Sequence, residues 1–304
     1  MIFIRQLLST AGIARSWPRA WQTLTLSGRR GFHRIAGGPD RDSDRRGAGG
    51  MLPLCGLSIM SLVAACDSAG NIGSAGVTTA TVAVATNFHR AAGELELMFE
   101  AATGHELTLV SGSTGKLYAQ IENGAPFDVL LAADVERPRR LEAADHAVRG
   151  TRFVYATGQL SLWSPDPAAL QEDGRTVLER ADFEHLAIAN PELAPYGLAA
   201  RQVLQNLGLW DGLAPRIVMG ENIGQAHALV ATGNAALGFV ARASLQQGAT
   251  GSSWLVPADL HEPIRQEAVL LRRGEHNTAA RAFLEFLRGD AARARIAAYG
   301  YGTD

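Results

Sequence analysis

Lysine is almost missing from this chain: Lys116 is the single example among 28 basic residues. Cysteine is as scarce, with only Cys55 and Cys66, so no cysteine lies beyond residue 66. A body of that size without cysteine must be held by its own core and not by disulfides. Basic charge is short too. Nine arginines and three aspartates fall within residues 1–66, which leaves 19 basic against 27 acidic groups in the remainder, a net charge near −8. A nucleic-acid binder needs a basic face, so that class is excluded. The apolar run from Met51 to Ala65 is too short to cross a bilayer as a helix.

Motifs of common enzyme classes are absent as well. The Gly112-Ser113-Thr114-Gly115-Lys116 stretch has Val110 where a phosphate-binding P-loop requires glycine, and Leu117 where it requires Ser or Thr. No Gly-x-Ser-x-Gly elbow occurs at the polar turns, and no histidine stands out as a base. The histidines beyond residue 66 (His89, His105, His146, His185, His227, His261 and His276) are scattered without metal-ligand spacing. The chain is read as a binding protein, not an enzyme, with no cofactor and no directly bound metal.

What is present begins with an export-type N-terminus. Residues 1–50 are rich in Arg, Gly and Ser without periodicity, and are read as an unstructured leader or a start upstream of the one used. Residues 51–66 read as a signal peptide. Val63-Ala64-Ala65-Cys66 resembles the bacterial lipobox, in which the cysteine becomes acylated, so Cys66 is the expected lipid anchor. Residues 67–79 form a small-residue linker.

From residue 80 onward strand-like and helix-like segments alternate, which predicts an α/β fold with a largely parallel sheet. Asn87 is placed to cap a helix with Phe88, Ala91, Ala92, Leu95, Met98, Phe99 and Ala102 on one stripe, stopped at Gly104. Ser113 is placed to cap a shorter helix with Leu117, Tyr118 and Ile121 inward and Lys116 toward solvent. Phe153 to Trp163 reads as one long extended segment, and Trp254 to Pro257 as a return crossing.

A strand–polar turn–helix unit recurs four times, at Thr86/Asn87, Ser113/Thr114, Tyr196/Gly197 and Asn222/Ile223. Ser113 follows Thr86 by 27 residues, and Ile223 follows Tyr196 by 27. The first N–H groups of a helix lack intrahelical partners, and each helix start carries the equivalent of roughly +0.5 charge. Four starts facing one cleft match a small dianion without Arg or Lys. A fully deprotonated tetrahedral dianion only accepts hydrogen bonds. Phosphate near neutral pH still carries a proton and needs an acceptor. None of the four turns puts Asp or Glu at the first helical residue, although Glu221 is close by.

The motifs AVATNF (83–88), SGSTGKLYAQIENGAPFDVLLAAD (111–134), YATGQLSLWS (155–164), NPELAPYGLAARQVLQNLGLW (190–210) and GENIGQAHALVATGNAALGFV (220–240) occur in this order. Together with the FLEFL and YGYG segments near the C-terminus, they resemble the periplasmic molybdate-binding proteins of bacterial ABC importers over residues 80–302. The resemblance implies a two-lobed periplasmic-binding-protein (type II) α/β fold, with two hinge crossings near 156–160 and 255–259 and a ligand cleft between lobes. Lobe I would comprise residues 80–157 plus 258–304, and lobe II residues 158–257. The resemblance also implies molybdate or tungstate as ligand, with the molybdenum held only as its oxyanion. A monomer is expected, in the periplasm or otherwise outside the cytoplasm, delivering to a membrane permease. Sulfate or another small oxyanion or organic anion is the alternative ligand.

Carried over position by position, the family's contacts fall on Thr86, Asn87, Ser113, Tyr196 and Ile223, the last two through backbone N–H groups. One position departs. Many members carry a tyrosine hydroxyl in the strand after the last of these helices, and the matching residue here is Ala241. Asn87 or Tyr196 is expected to make up for it.

Overall fold

The structure is a computed structural model that describes residues 76–303 apart from 246, 247 and 249. The leader, the signal segment, Cys66 and most of the linker therefore lie outside the described residues. Ten strands are described: β1 (Thr79–Ala85), β2 (Glu106–Gly112), β3 (Val129–Leu131), β4 (Phe153–Gly158), β5 (Leu160–Ser164), β6 (Leu186–Ala189), β7 (Ile217–Gly220), β8 (Leu237–Ala241), β9 (Ser252–Leu255) and β10 (Ile264–Leu270). The α-helices among the described residues are α1 (His89–Thr103), α2 (Thr114–Glu122), α3 (Glu136–Ala143), α4 (Gly174–Arg180), α5 (Pro195–Asn206), α6 (Trp210–Leu213), α7 (Ile223–Ala231), α8 (Thr278–Arg288) and α9 (Asp290–Ala298).

The strands form two five-stranded sheets, ordered β2-β1-β3-β10-β4 and β7-β6-β8-β5-β9. Each sheet has two parallel pairings and two antiparallel ones, the latter both made by a single reversed strand, β10 or β5. The expectation of a largely parallel sheet is thus corrected: both sheets are mixed, because the chain crosses between them and returns in the opposite sense. The long extended segment is two strands. β4 ends at Gly158 in the first sheet and β5 starts at Leu160 in the second. The return crossing lies later than expected. Trp254 is still in β9, and residues 256–263 lead back to β10.

Alternation of side chains along each strand explains why these segments read as unbroken apolar runs. In β1, Val82 and Val84 pack into one hydrophobic cluster with Phe88 and Phe283, while Ala83 packs into another with Leu117 and Leu141. In the second sheet Leu186 and Ile188 join Phe239 on one face, and Ala187 joins Val230 and Val240 on the other. Both sheets are therefore covered by helices on both sides.

Helix limits follow ordinary capping chemistry. Gly104, at φ +73, closes α1 with its N–H on the Glu100 carbonyl. Pro195 opens α5, where its missing N–H costs nothing. Asn222 caps α7 by accepting from the Gln225 N–H, and Asn277 caps α8 in the same way through Ala280. Two expected caps are not made. Asn87 does not cap α1, which begins at His89 after a single 3₁₀ turn, Thr86–Phe88. Ser113 has the backbone conformation of an N-cap on α2, but its side chain makes no capping bond.

Candidate functional site

Strand register brings the four turns to two sheet edges. β1 and β2 are parallel with Ala85 opposite Gly112, so Thr86 and Ser113 are the first residues past the paired ends. β6 and β7 are parallel with Ala189 opposite Gly220, and α5 and α7 start from the segments that follow. Four helix beginnings thus leave the carboxyl ends of parallel strands, two per sheet.

The two edges meet. A Cβ on Gly224 would stand 2.6 Å from the Thr86 methyl carbon, so the Thr86 turn rests on the first turn of α7. The Gly115 N–H donates to the Leu193 carbonyl at 2.8 Å, so the start of α2 rests on the segment before α5. A Cβ on Gly115 would come within 2.9 Å of that same oxygen. The approach of backbone to backbone therefore requires glycine. Two further bonds span the same gap. Arg137 donates to the Glu192 carbonyl at 2.9 Å. Lys116 donates to both Glu221 carboxylate oxygens at 3.1 Å. Lys116 is exposed, as expected, and the turn into α7 also brings an acid into its reach, so that Glu221 is already matched by a cation.

Of the expected site residues, three line a cavity, Tyr196 joins Asn87 in a hydrogen-bonded network, and Ser113 belongs to neither. Thr86, Asn87 and Ile223 line one cavity of about 200 Å³, together with Arg90, His227 and Ala241. Ser113 and Tyr196 do not line it. The Thr86 hydroxyl oxygen accepts from Ser111 at 3.4 Å, which leaves its own proton free to donate. The Ser113 hydroxyl is buried, with the residue 2% exposed, and has no partner. Among the described residues the other buried side-chain polar atoms without partners belong to Thr157, Ser161 and His185, none of them at a helix start. Unpaired buried polar atoms are costly and uncommon, and one at a helix N-terminus is an unfilled donor for an anion.

Gln266, fully buried in β10, organises the network. Its amide oxygen accepts from Asn87 Nδ2 at 2.8 Å and from the Tyr155 hydroxyl at 3.1 Å. Its Nε2 donates to the Tyr196 hydroxyl at 3.4 Å. Asn87 Nδ2 also donates to the Tyr301 hydroxyl at 3.3 Å, and that hydroxyl donates to the Asn87 carbonyl at 2.7 Å. These bonds explain why Asn87 caps nothing: its amide is turned inward and both amide hydrogens are engaged. Tyr196 is a core residue by its ring, 1% exposed, whose hydroxyl crowds Gly158 at the crossing between sheets. Burial holds the Tyr155, Tyr196 and Tyr301 phenols above their ordinary range, so all three stay protonated and neutral.

Gln266, Tyr155 and Tyr301 were not singled out from the sequence. A signal existed: Gln266 and Glu267 stand beside the apolar run Ala268 to Leu271, and a polar residue drawn into such a strand demands partners. On the other wall His227 stacks on Trp163, with ring centroids 4.8 Å apart and planes within 7°. Desolvation lowers its pKa, which favours the neutral imidazole.

A larger cavity, about 540 Å³, lies elsewhere, between α3 and the segment that follows it, and is lined by Arg139, Glu142, Arg149, Arg152 and Glu267. Arg152 already pairs with Glu142 and Glu267, and Arg139 with Glu136. Most of its charges are therefore paired with one another, and none of the four turns contributes to it. No group of three or more His, Cys, Asp or Glu that could hold a metal ion occurs among the described residues. The arrangement at the turns is suited to accepting a small anion through neutral donors.

Comparison with known proteins gives consistent results. Residues 80–302 match the family described as bacterial extracellular solute-binding protein. The chain is 49% identical to the molybdate-binding protein of Azotobacter vinelandii over 224 residues, 73% of this chain and 88% of that one. It is 46% identical to the molybdate-binding protein of Rhodobacter capsulatus over 222 residues, covering 73% and 87%. The solved periplasmic molybdate-binding protein of Azotobacter vinelandii superposes with a TM-score of 0.72 at 42% identity, over 74% of this chain and 99% of that one.

Proposed function

Since the chain belongs to the bacterial extracellular solute-binding proteins, we propose that it captures molybdate, or the isosteric tungstate, between two lobes. It delivers this ligand to the membrane permease of an ABC importer, and it is a carrier in the periplasm, not an enzyme. The lobes are those built on the two sheets, residues 80–157 with 258–304 and residues 158–257, hinged where the chain passes from β4 to β5 and from β9 to β10. The protein works as a monomer held to the membrane through acylated Cys66.

The observation that carries this reading is that the helix starts meet in pairs across the gap, the Thr86 turn on α7 and the start of α2 on the segment before α5, with a buried serine hydroxyl left unpartnered at the start of α2. The Thr86 and Ser113 hydroxyls and the backbone N–H groups of Asn87, Tyr196 and Ile223 supply the hydrogen bonds. Charge-assisted bonds of this kind are short and about twice as strong as neutral ones. Asn87 gives its backbone N–H because its side chain is committed to Gln266 and Tyr301. With Ala241 in place of a tyrosine, no hydroxyl reaches in from β8. Phosphate is disfavoured because it needs an acceptor, and the nearby Glu221 is held by Lys116. Sulfate is separated from molybdate by size, and both relatives near half identity are named for molybdate.

Binding closes the lobes because the closed form alone brings all donors to the ligand; differential affinity for that form drives the motion. Isothermal titration with molybdate, tungstate, sulfate and phosphate tests the reading. One strong site for molybdate and tungstate with weak or no response to the others is expected. An equal response to sulfate removes the narrow assignment, and silence toward every oxyanion removes the broad one.

A further inference from the structure

The cavity lined by Thr86, Asn87 and Ile223 is also lined by Ala241 and by Arg90 of α1. Arg90 is exposed and makes no side-chain hydrogen bond or ion pair among the described residues, in contrast to Arg137, Arg139 and Arg152. It is the second residue of α1, where the helix macrodipole disfavours a cation, so helix stability does not account for it. His227, the other titratable side chain on that cavity besides Tyr299, has its pKa lowered by desolvation and adds little positive charge near neutral pH. The body of the protein as a whole is acidic, with 27 acidic against 19 basic residues beyond position 66. A dianion approaching such a body is repelled at long range, and only a local positive potential offsets that.

We propose that Arg90 is the electrostatic entry guide of this site, raising the rate at which an oxyanion dianion reaches the cleft without holding it there once bound. The proposal rests on the reading of the cleft as an oxyanion site. Retention belongs to the neutral donors of the turns, and capture to an exposed guanidinium at the mouth. Steering of this kind raises association rates by about tenfold or more at low ionic strength and is lost as salt screens it. The Debye length falls from about 30 Å at 0.01 M to about 3 Å at 1 M.

Stopped-flow tryptophan fluorescence with molybdate tests this, with Trp163 beside His227 as reporter. Arg90→Gln is expected to lower the association rate constant by about three- to tenfold at 0.01 M salt and by less than about twofold at 0.5 M, with an unchanged dissociation rate. Arg149→Gln removes the same charge away from this cavity and is expected to match wild type. An association rate in Arg90→Gln equal to wild type at low salt overturns the proposal. So does a loss that persists at 0.5 M, a faster dissociation alone, or an equal loss in Arg149→Gln. Wild-type protein that gives no molybdate response overturns the oxyanion reading itself, a result distinct from all of these.

Discussion

Ser113 carries the sharpest consequence for a single side chain. Its hydroxyl has no protein partner and caps nothing, so Ser113→Ala removes no bond from the folded, unliganded protein. Stability is expected to change by less than about 0.5 kcal/mol, unlike the about 1 kcal/mol cost of deleting a working cap. A hydrogen bond to a charged group contributes about 1.5–3 kcal/mol, so molybdate affinity is expected to fall roughly 10- to 150-fold. Thermal denaturation beside calorimetric titration separates the two effects, and a large loss of stability with unchanged affinity refutes the assignment. His227 offers a test in pH. Its folded pKa is below the ordinary 6.5, so the fold favours the neutral ring. That contribution is complete above 6.5 and is lost as pH falls through the depressed folded value. Urea unfolding at pH 8, 6 and 5 is expected to show stability declining below 6.5, and His227→Phe, which keeps a ring against Trp163, to decline less.

At the scale of elements, two glycines at helix starts make opposite predictions although both sit in tight contacts. Gly197 lies within α5, and a Cβ there would stand 2.2 Å from the Ala189 carbonyl of the same sheet. Gly197→Ala is expected to destabilise the fold by about 1–3 kcal/mol, whatever the ligand. Gly224 instead faces Thr86 across the cleft. Gly224→Ala is expected to leave thermal stability near wild type while lowering ligand affinity at least tenfold, because the clash falls between the two sheets' edges and not within the packing of either one. Much of this architecture was legible in the sequence. Apolar runs, Gly104 and Asn222 marked strands and helix limits, since those signals are local. What was not legible depended on distant partners. Asn87 looks like a cap until Gln266, 179 residues away, claims its amide. Lys116 does face solvent, but its partner Glu221 comes from the turn into α7, 105 residues away. The antiparallel placement of β5 and β10 required knowing where the chain crosses. The four polar turns were visible, but the pairing of each turn with a particular turn opposite became visible only through Gly115 and Gly224.

For the whole molecule, the proposed closure would balance ligand bonds against a small set of protein bonds across the gap. The Lys116–Glu221 pair is half-exposed, at 50% and 35%, so solvent screens it strongly. Exposed pairs contribute about 0–1 kcal/mol. Lys116→Gln is therefore expected to raise the ligand dissociation rate by less than about fivefold, and the difference is expected to vanish in 0.5 M salt. Stopped-flow displacement at two salt concentrations measures it. A loss as large as that of Ser113→Ala contradicts a site built on neutral donors.

The central claim is that uncharged groups from both sheets enclose one oxyanion. Crystals grown with molybdate and measured at the molybdenum absorption edge test it most directly, because the anomalous signal marks the metal alone. A single peak per chain is expected, ringed by the Thr86 and Ser113 hydroxyls and the backbone nitrogens of Tyr196 and Ile223. A peak among Arg139, Arg149 and Arg152, or one bound by residues of a single sheet, contradicts it.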